Sequence, residues 1–137
     1  TMKNNMGAGV ALQAALRWGE LPEWYGWRCK LMGPETPVLV NEHRRLVFFP
    51  VKPLLSGNPE RSWDQDACLS TIARSAEQLS RLRVSGPLAM ALPGCGNGGR
   101  SALEVLPILE AHLDGKVTLI DRSHTALDIA EPSRLVS

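Results

Sequence analysis

Residues 68–82 carry the strongest periodic pattern in the chain. Cys68, Leu69, Ile72, Ala76, Leu79 and Leu82 recur at three- and four-residue spacing, while Asp66, Arg74, Glu77 and Arg81 fall on the other side. That pattern predicts an amphipathic helix. Ser62-Trp63-Asp64-Gln65, just ahead of it, has the form of a capping box. Residues 10–17 (VALQAALR) are rich in alanine and leucine and predict a second helix, closed by Gly19. Residues 20–36 hold Trp24, Tyr25 and Trp27 among Pro22, Gly33 and Pro34, which fits a short helix or an irregular segment packed on the core. Pro37-Val38-Leu39-Val40 and Leu46-Val47-Phe48-Phe49 flank a polar stretch, Asn41-Glu42-His43-Arg44-Arg45, and predict a β-hairpin. The second strand is apolar throughout, which places it inside a sheet. Leu88-Ala89-Met90-Ala91-Leu92 predicts a buried strand, and Val117-Thr118-Leu119-Ile120 a last short one. Between them, residues 102–113 predict a helix opened by the capping pair Ser101 and Glu104. Pro107 removes one hydrogen bond there, so this helix is expected to begin late or to bend.

Strands alternating with helices predict an α/β layer fold with a mixed sheet. At 137 residues the chain suits one domain, with a core over about 3–121 and a weakly patterned tail over 122–137. Thr1 before Met2 reads as a leftover tag residue or as a cut inside a longer chain. The formal net charge is +1, and no basic run exceeds His43-Arg44-Arg45, so long-range attraction to nucleic acid is not indicated. Cys29, Cys68 and Cys95 form no CxxC and no zinc-ligand spacing. That sparse, odd set reads as reduced thiols in a cytoplasmic protein, and neither a metal nor a resident cofactor is expected. No stretch approaches a membrane span, so no membrane partner is expected.

The chemistry is concentrated in two glycine loops. Pro93-Gly94-Cys95-Gly96-Asn97-Gly98-Gly99 follows a strand and precedes a helix, and has four glycines in the six positions from 94 to 99. Such a loop can aim backbone N–H groups at one object, and the helix start behind it adds a positive dipole end. That geometry suits a phosphate or diphosphate. Asn5-Met6-Gly7-Ala8-Gly9-Val10 feeds the helix over 10–17 in the same manner. In α/β sheets, ligands sit outside the strand ends where such loops turn into helices. Both loops and the corner at Pro50-Val51-Lys52 are features of that kind, and they are expected to converge on one cleft. Taken alone, Lys52 is a solvated lysine at a strand end, Cys95 a packing residue and Asn97 a left-handed turn former. Arg100 reads as a solvated arginine, the scattered histidines 43, 112 and 124 as surface residues, and the tryptophans as packing.

Three blocks in order resemble the macro domain family, in particular its bacterial and phage branch that includes the DarG-type antitoxins. Met6-Gly7-Ala8-Gly9-Val10-Ala11-Leu12 is similar to that branch's MGxGxAL loop, Phe49-Pro50-Val51-Lys52 to its FPxK strand end, and Pro93 to Gly99 to its GCGNGG loop, with Val105 and Pro107 following. The similarity runs over residues 1–120. It implies a three-layer α/β/α fold that binds ADP-ribose, and in this branch the removal of ADP-ribose from DNA or protein. Carried over residue by residue, Asn5, Gly7, Ala8, Gly9 and Val10 would wrap the diphosphate and distal ribose. Gly94, Cys95, Gly96, Asn97, Gly98 and Gly99 would hold the diphosphate from the other side. Lys52 matches the branch's catalytic lysine, whose ammonium would stabilise charge at the distal ribose or attack the opened sugar.

The chain also departs from that pattern. It lacks most of the family's opening strands and the acidic adenine contact, and it has Arg100-Ser101-Ala102 where the family has Leu-Asp-Trp. Missing opening strands imply an exposed sheet edge, to be covered by a second copy or by the C-terminal tail. Two functional readings follow. One is a mono-ADP-ribosyl hydrolase acting in a toxin–antitoxin or phage-defence setting, which Lys52 favours. The other is a non-catalytic module that binds or sequesters ADP-ribose or a related NAD-derived nucleotide, which the departures favour. A third reading is an interaction protein with an empty cleft.

Overall fold

A computed structural model of the chain describes residues 9–32, 37–52, 67–84, 86–95 and 98–120, with side chains from residue 11 onward. The capping box expected at 62–65, the first glycine bend at 5–8 and the tail from 121 lie outside the described residues. Within them the chain is mixed α/β, in the order α1 (Gly9–Arg17), α2 (Leu21–Met32), β1 (Leu39–Asn41), β2 (Leu46–Phe48), α3 (Leu69–Arg81), β3 (Leu88–Ala91), α4 (Ala102–Leu113) and β4 (Val117–Ile120).

The segment expected to be a short helix or irregular is a twelve-residue helix, α2. Pro22 stands in its first turn, where a missing N–H loses no intrahelical bond. Leu21 and Cys29 are buried, and Tyr25 stacks on Phe48 of β2 with ring centroids 4.3 Å apart. The hairpin has the expected strands, with Val40 opposite Val47. Its turn is closed by Asn41, whose Oδ1 accepts the Arg44 N–H at 3.0 Å. Arg45 takes the left-handed conformation at φ 56°.

α3 and α4 pack on each other through the face that the periodicity marks out. Ile72, Ala76 and Leu79 meet Val105, Leu109 and Leu113, and Val117 and Leu119 of β4 join the same cluster. Each fully buried leucine or isoleucine there contributes about 1.5–3 kcal/mol. Two polar groups tie α3 to the hairpin side. The buried Ser75 hydroxyl donates to the Pro50 carbonyl at 2.7 Å, and Gln78 Oε1 accepts the Val38 N–H at 2.8 Å. α4 begins at Ala102, not late, and carries Pro107 within it on an exposed face.

β3 and β4 run parallel, with Leu88 opposite Val117 and Ala91 opposite Ile120, and α4 is the crossover between them. Among the described residues the strands form two pairs, β1–β2 and β3–β4, where one mixed sheet was expected. Two further expectations change. β3 turns Leu88 and Met90 onto the α3–α4 cluster and leaves Ala89, on its other face, exposed, and β2 divides its half-buried side chains between the two clusters, Val47 on one and Leu46 and Phe48 on the other.

Candidate functional site

Three separate stretches of backbone meet at the start of α3. The Cys68 N–H donates to the Val51 carbonyl at 2.8 Å, and the Ala67 N–H donates to the Gly98 carbonyl at 2.8 Å. Arg100 closes the loop on itself and onto the same point. Its backbone N–H donates to the Gly94 carbonyl at 2.9 Å, and its Nε donates to the Ala67 carbonyl at 2.7 Å. The second and third sequence blocks, the Pro50–Lys52 corner and the glycine loop, therefore abut Ala67 and Cys68. Lys52 follows Val51 directly and is half-buried. Of the first block, Gly9 and Val10 open α1, and Asn5, Gly7 and Ala8 lie outside the described residues. Gly96 and Asn97 of the third block lie outside them too.

The glycine loop is shaped by its own packing. Gly94 sits at φ +75°, and a Cβ there would come within 2.9 Å of both Ala67 Cβ and Ile72 Cδ1. A Cβ at Gly98 would meet the Gly94 carbonyl oxygen at 2.5 Å and Ala67 Cβ at 2.8 Å. Two of the four glycines are thus required for the loop to lie flat on the root of α3, with or without a ligand. Gly99, at φ +74°, supplies the second left-handed turn. Cys95 takes the packing role expected of the residue alone. It is half-buried against the α3–α4 cluster, and burial pushes its thiol above the ordinary range.

The helix start behind the loop is not open to an anion in the way the sequence suggests. Ser101 caps α4 by accepting the Glu104 N–H, and the Glu104 carboxylate accepts the Ser101 N–H at 3.1 Å. A negative charge already occupies that dipole end, held below the usual carboxylate range by the Ser101 N–H and hydroxyl and by Arg100. Arg100 reaches Glu104 at 3.3 Å. It is half-buried and structural, which corrects its reading as a solvated side chain.

The start of α3 differs. Its N-cap residue, Cys68, makes no side-chain capping bond. The thiol instead sits 2.9 Å from the Ser70 hydroxyl. That contact, helped by Thr71, lowers its pKa to about 7. The start of α3 therefore lies against the bent backbone of the glycine loop and against the Lys52 corner.

Sequence reasoning missed Ala67 and Cys68 as members of this junction. One signal for them existed: they stand immediately before the first periodic residue of the strongest helix, where the N-cap must fall. No family model, no curated protein and no solved structure matches the chain. None of the described helices is long and apolar enough to cross a membrane.

Proposed function

We propose that the chain is a macro-type domain that binds ADP-ribose, in a three-layer α/β/α arrangement. The observation that supports this best is the meeting of the Lys52 corner and the glycine loop at the uncapped start of α3. Those elements come from different parts of the sequence, and the leading amides of α3 beside them are main-chain donors of the kind a diphosphate takes. Asn5, Gly7, Ala8, Gly9 and Val10 complete the grip on the distal ribose. Lys52 is the residue for release of ADP-ribose from DNA or protein, acting in the cytoplasm in an antitoxin or counter-defence setting.

A specific observation favours a second reading, binding without turnover. Arg100 and Ser101 stand where the resembled family has Leu-Asp-Trp, and both are occupied in holding the loop and capping α4.

Calorimetric titration with ADP-ribose, followed by ADP-ribosylated DNA offered to wild type and to Lys52→Ala, separates the readings. Saturable binding with release abolished by Lys52→Ala is the result expected of the hydrolase. Binding without release leaves the module. Release that survives Lys52→Ala removes the role given to the lysine, and absence of binding overturns the proposal.

A further inference from the structure

The opposite end of α3 carries a second feature that the diphosphate reading does not use. α3 is thirteen residues long, so its last turn lies about 20 Å from the junction at Cys68. The same end of the molecule holds the start of β3 and the close of α4. There a half-open hollow of about 310 Å³ is lined by Leu82 and Leu88, which reach solvent, over the buried Leu79 and Leu113. Leu82 is 38% exposed, although it belongs to the apolar face of α3.

The rim of the hollow is basic. Arg83 and Lys116 line it, and the Arg45 guanidinium lies 3.9 Å from where a Cβ on Gly86 would stand. Arg83 and Arg45 have no acidic partner among the described residues. Lys116 donates to the Ser80 carbonyl at the end of α3, which leaves its charge uncompensated. The acidic groups nearby are Asp114, which ends α4, and Glu77, which is paired with Arg81 at 2.7 Å. Among the described residues, cations therefore outnumber free carboxylates around this hollow.

We propose that this hollow binds a small apolar carboxylate, with the alkyl portion on Leu82 and Leu88, the two lining leucines that reach solvent, and the carboxylate between Arg83 and Lys116. The volume lies at the small end of the range for ligand sites, which matches a medium-chain acid and not a nucleotide. A carboxylate answers the rim by charge, and the alkyl chain answers the floor by burial. The site is independent of the ADP-ribose reading, because it shares no residue with the α3 junction.

Octanoate, below its micelle-forming concentration, is the probe, titrated into the full chain by calorimetry and by amide chemical shifts. Saturable binding is expected, with shifts at Leu82, Val84, Gly86 and Lys116 and none at Gly94 or Gly98. Affinity should rise roughly fourfold for each methylene from hexanoate to octanoate. Octylamine, of equal length and opposite charge, should bind at least tenfold more weakly, and Arg83→Glu should weaken octanoate at least tenfold while leaving the melting temperature unchanged. Absence of saturable binding, shifts centred on the glycine loop, or octylamine binding as tightly as octanoate would overturn the proposal. If Arg83→Glu fails to fold, the shift map and the octylamine comparison on the wild-type chain decide alone.

Discussion

Around α3 and α4, Ile72, Ala76, Val105, Leu109 and Leu113 are shut from solvent and join Val117 and Leu119 in one aliphatic cluster. Around α1 and α2 the corresponding cluster is Ala14 and Leu21, fringed by Trp18, Tyr25, Leu46 and Phe48. The first region is held by interlocked branched chains. The second is held by ring contacts, by Arg17 and Arg44 near the Trp18 ring, and by the exposed pair of Arg44 Nε and Glu20 at 2.7 Å. It also leaves Leu16, Trp27 and Leu31 more than half exposed. The contrast shows where the junction at Ala67 and Cys68 finds a rigid base. The glycine loop and the Lys52 corner are both stitched to α3, the helix most firmly anchored by burial, while the α1 side rests on weaker and more separable contacts.

Core truncation tests that contrast with the largest effect. Leu109→Ala should destabilise the fold by about 2–5 kcal/mol in urea denaturation, and Leu21→Ala by about 2 kcal/mol, since the smaller cluster can collapse around the gap. Equal losses at the two positions would show that both halves are equally well packed. Gly98→Ala comes next. The overlap with Gly94 and Ala67 should lower stability by about 1–3 kcal/mol and should pry the loop from α3. Wild-type stability in that variant would mean the loop has room to spare, and its glycines would then need another explanation.

Ser101→Ala should remove about 1 kcal/mol by uncapping α4. Arg44→Ala should cost less than about 1 kcal/mol through its ion pair, with the difference shrinking in salt. A larger loss there would mean that the α1 side depends on its Trp18–Arg44–Glu20 contacts more than on burial. The finest test is chemical. The lowered pKa of Cys68 means its thiolate fraction rises through a midpoint of about 7. Iodoacetamide should therefore modify Cys68 with a pH profile reaching its plateau near pH 8, while Cys95, shifted upward, reacts later. Ser70→Ala should move the Cys68 midpoint upward.

Helices α1, α3 and α4 and the hairpin were legible in the sequence because they follow from local signals, while for α2 those signals fit a short helix and an irregular segment alike. Three- and four-residue spacing marks α3, alanine and leucine mark α1, a polar turn separates β1 from β2, and Ser101 with Glu104 announces α4. Long-range relations were less legible. That Gly94 and Gly98 lie against Ala67 is a packing fact with no local trace, and periodicity reads β2 and β3 as interior strands whatever neighbours they find. The capping pair at α4 is visible in the sequence, but Glu104 is both a capping residue and a resident charge, and only the structure shows the second role. The junction itself was legible only in part. Resemblance gathered the blocks, and hydrogen bonds at Ala67 and Cys68 gave two of them a common address.

Glu104 turns the mouth of α4 into a guarded berth. Its carboxylate satisfies the amide that an incoming phosphate would seek, so any anion settling there must evict a tenant instead of filling a vacancy. Under the proposed function, a diphosphate at this edge would have to displace that carboxylate, and a weakly charged group would not do so. Glu104→Gln would keep the hydrogen bond from the Ser101 N–H and take away only the charge, which separates the two contributions.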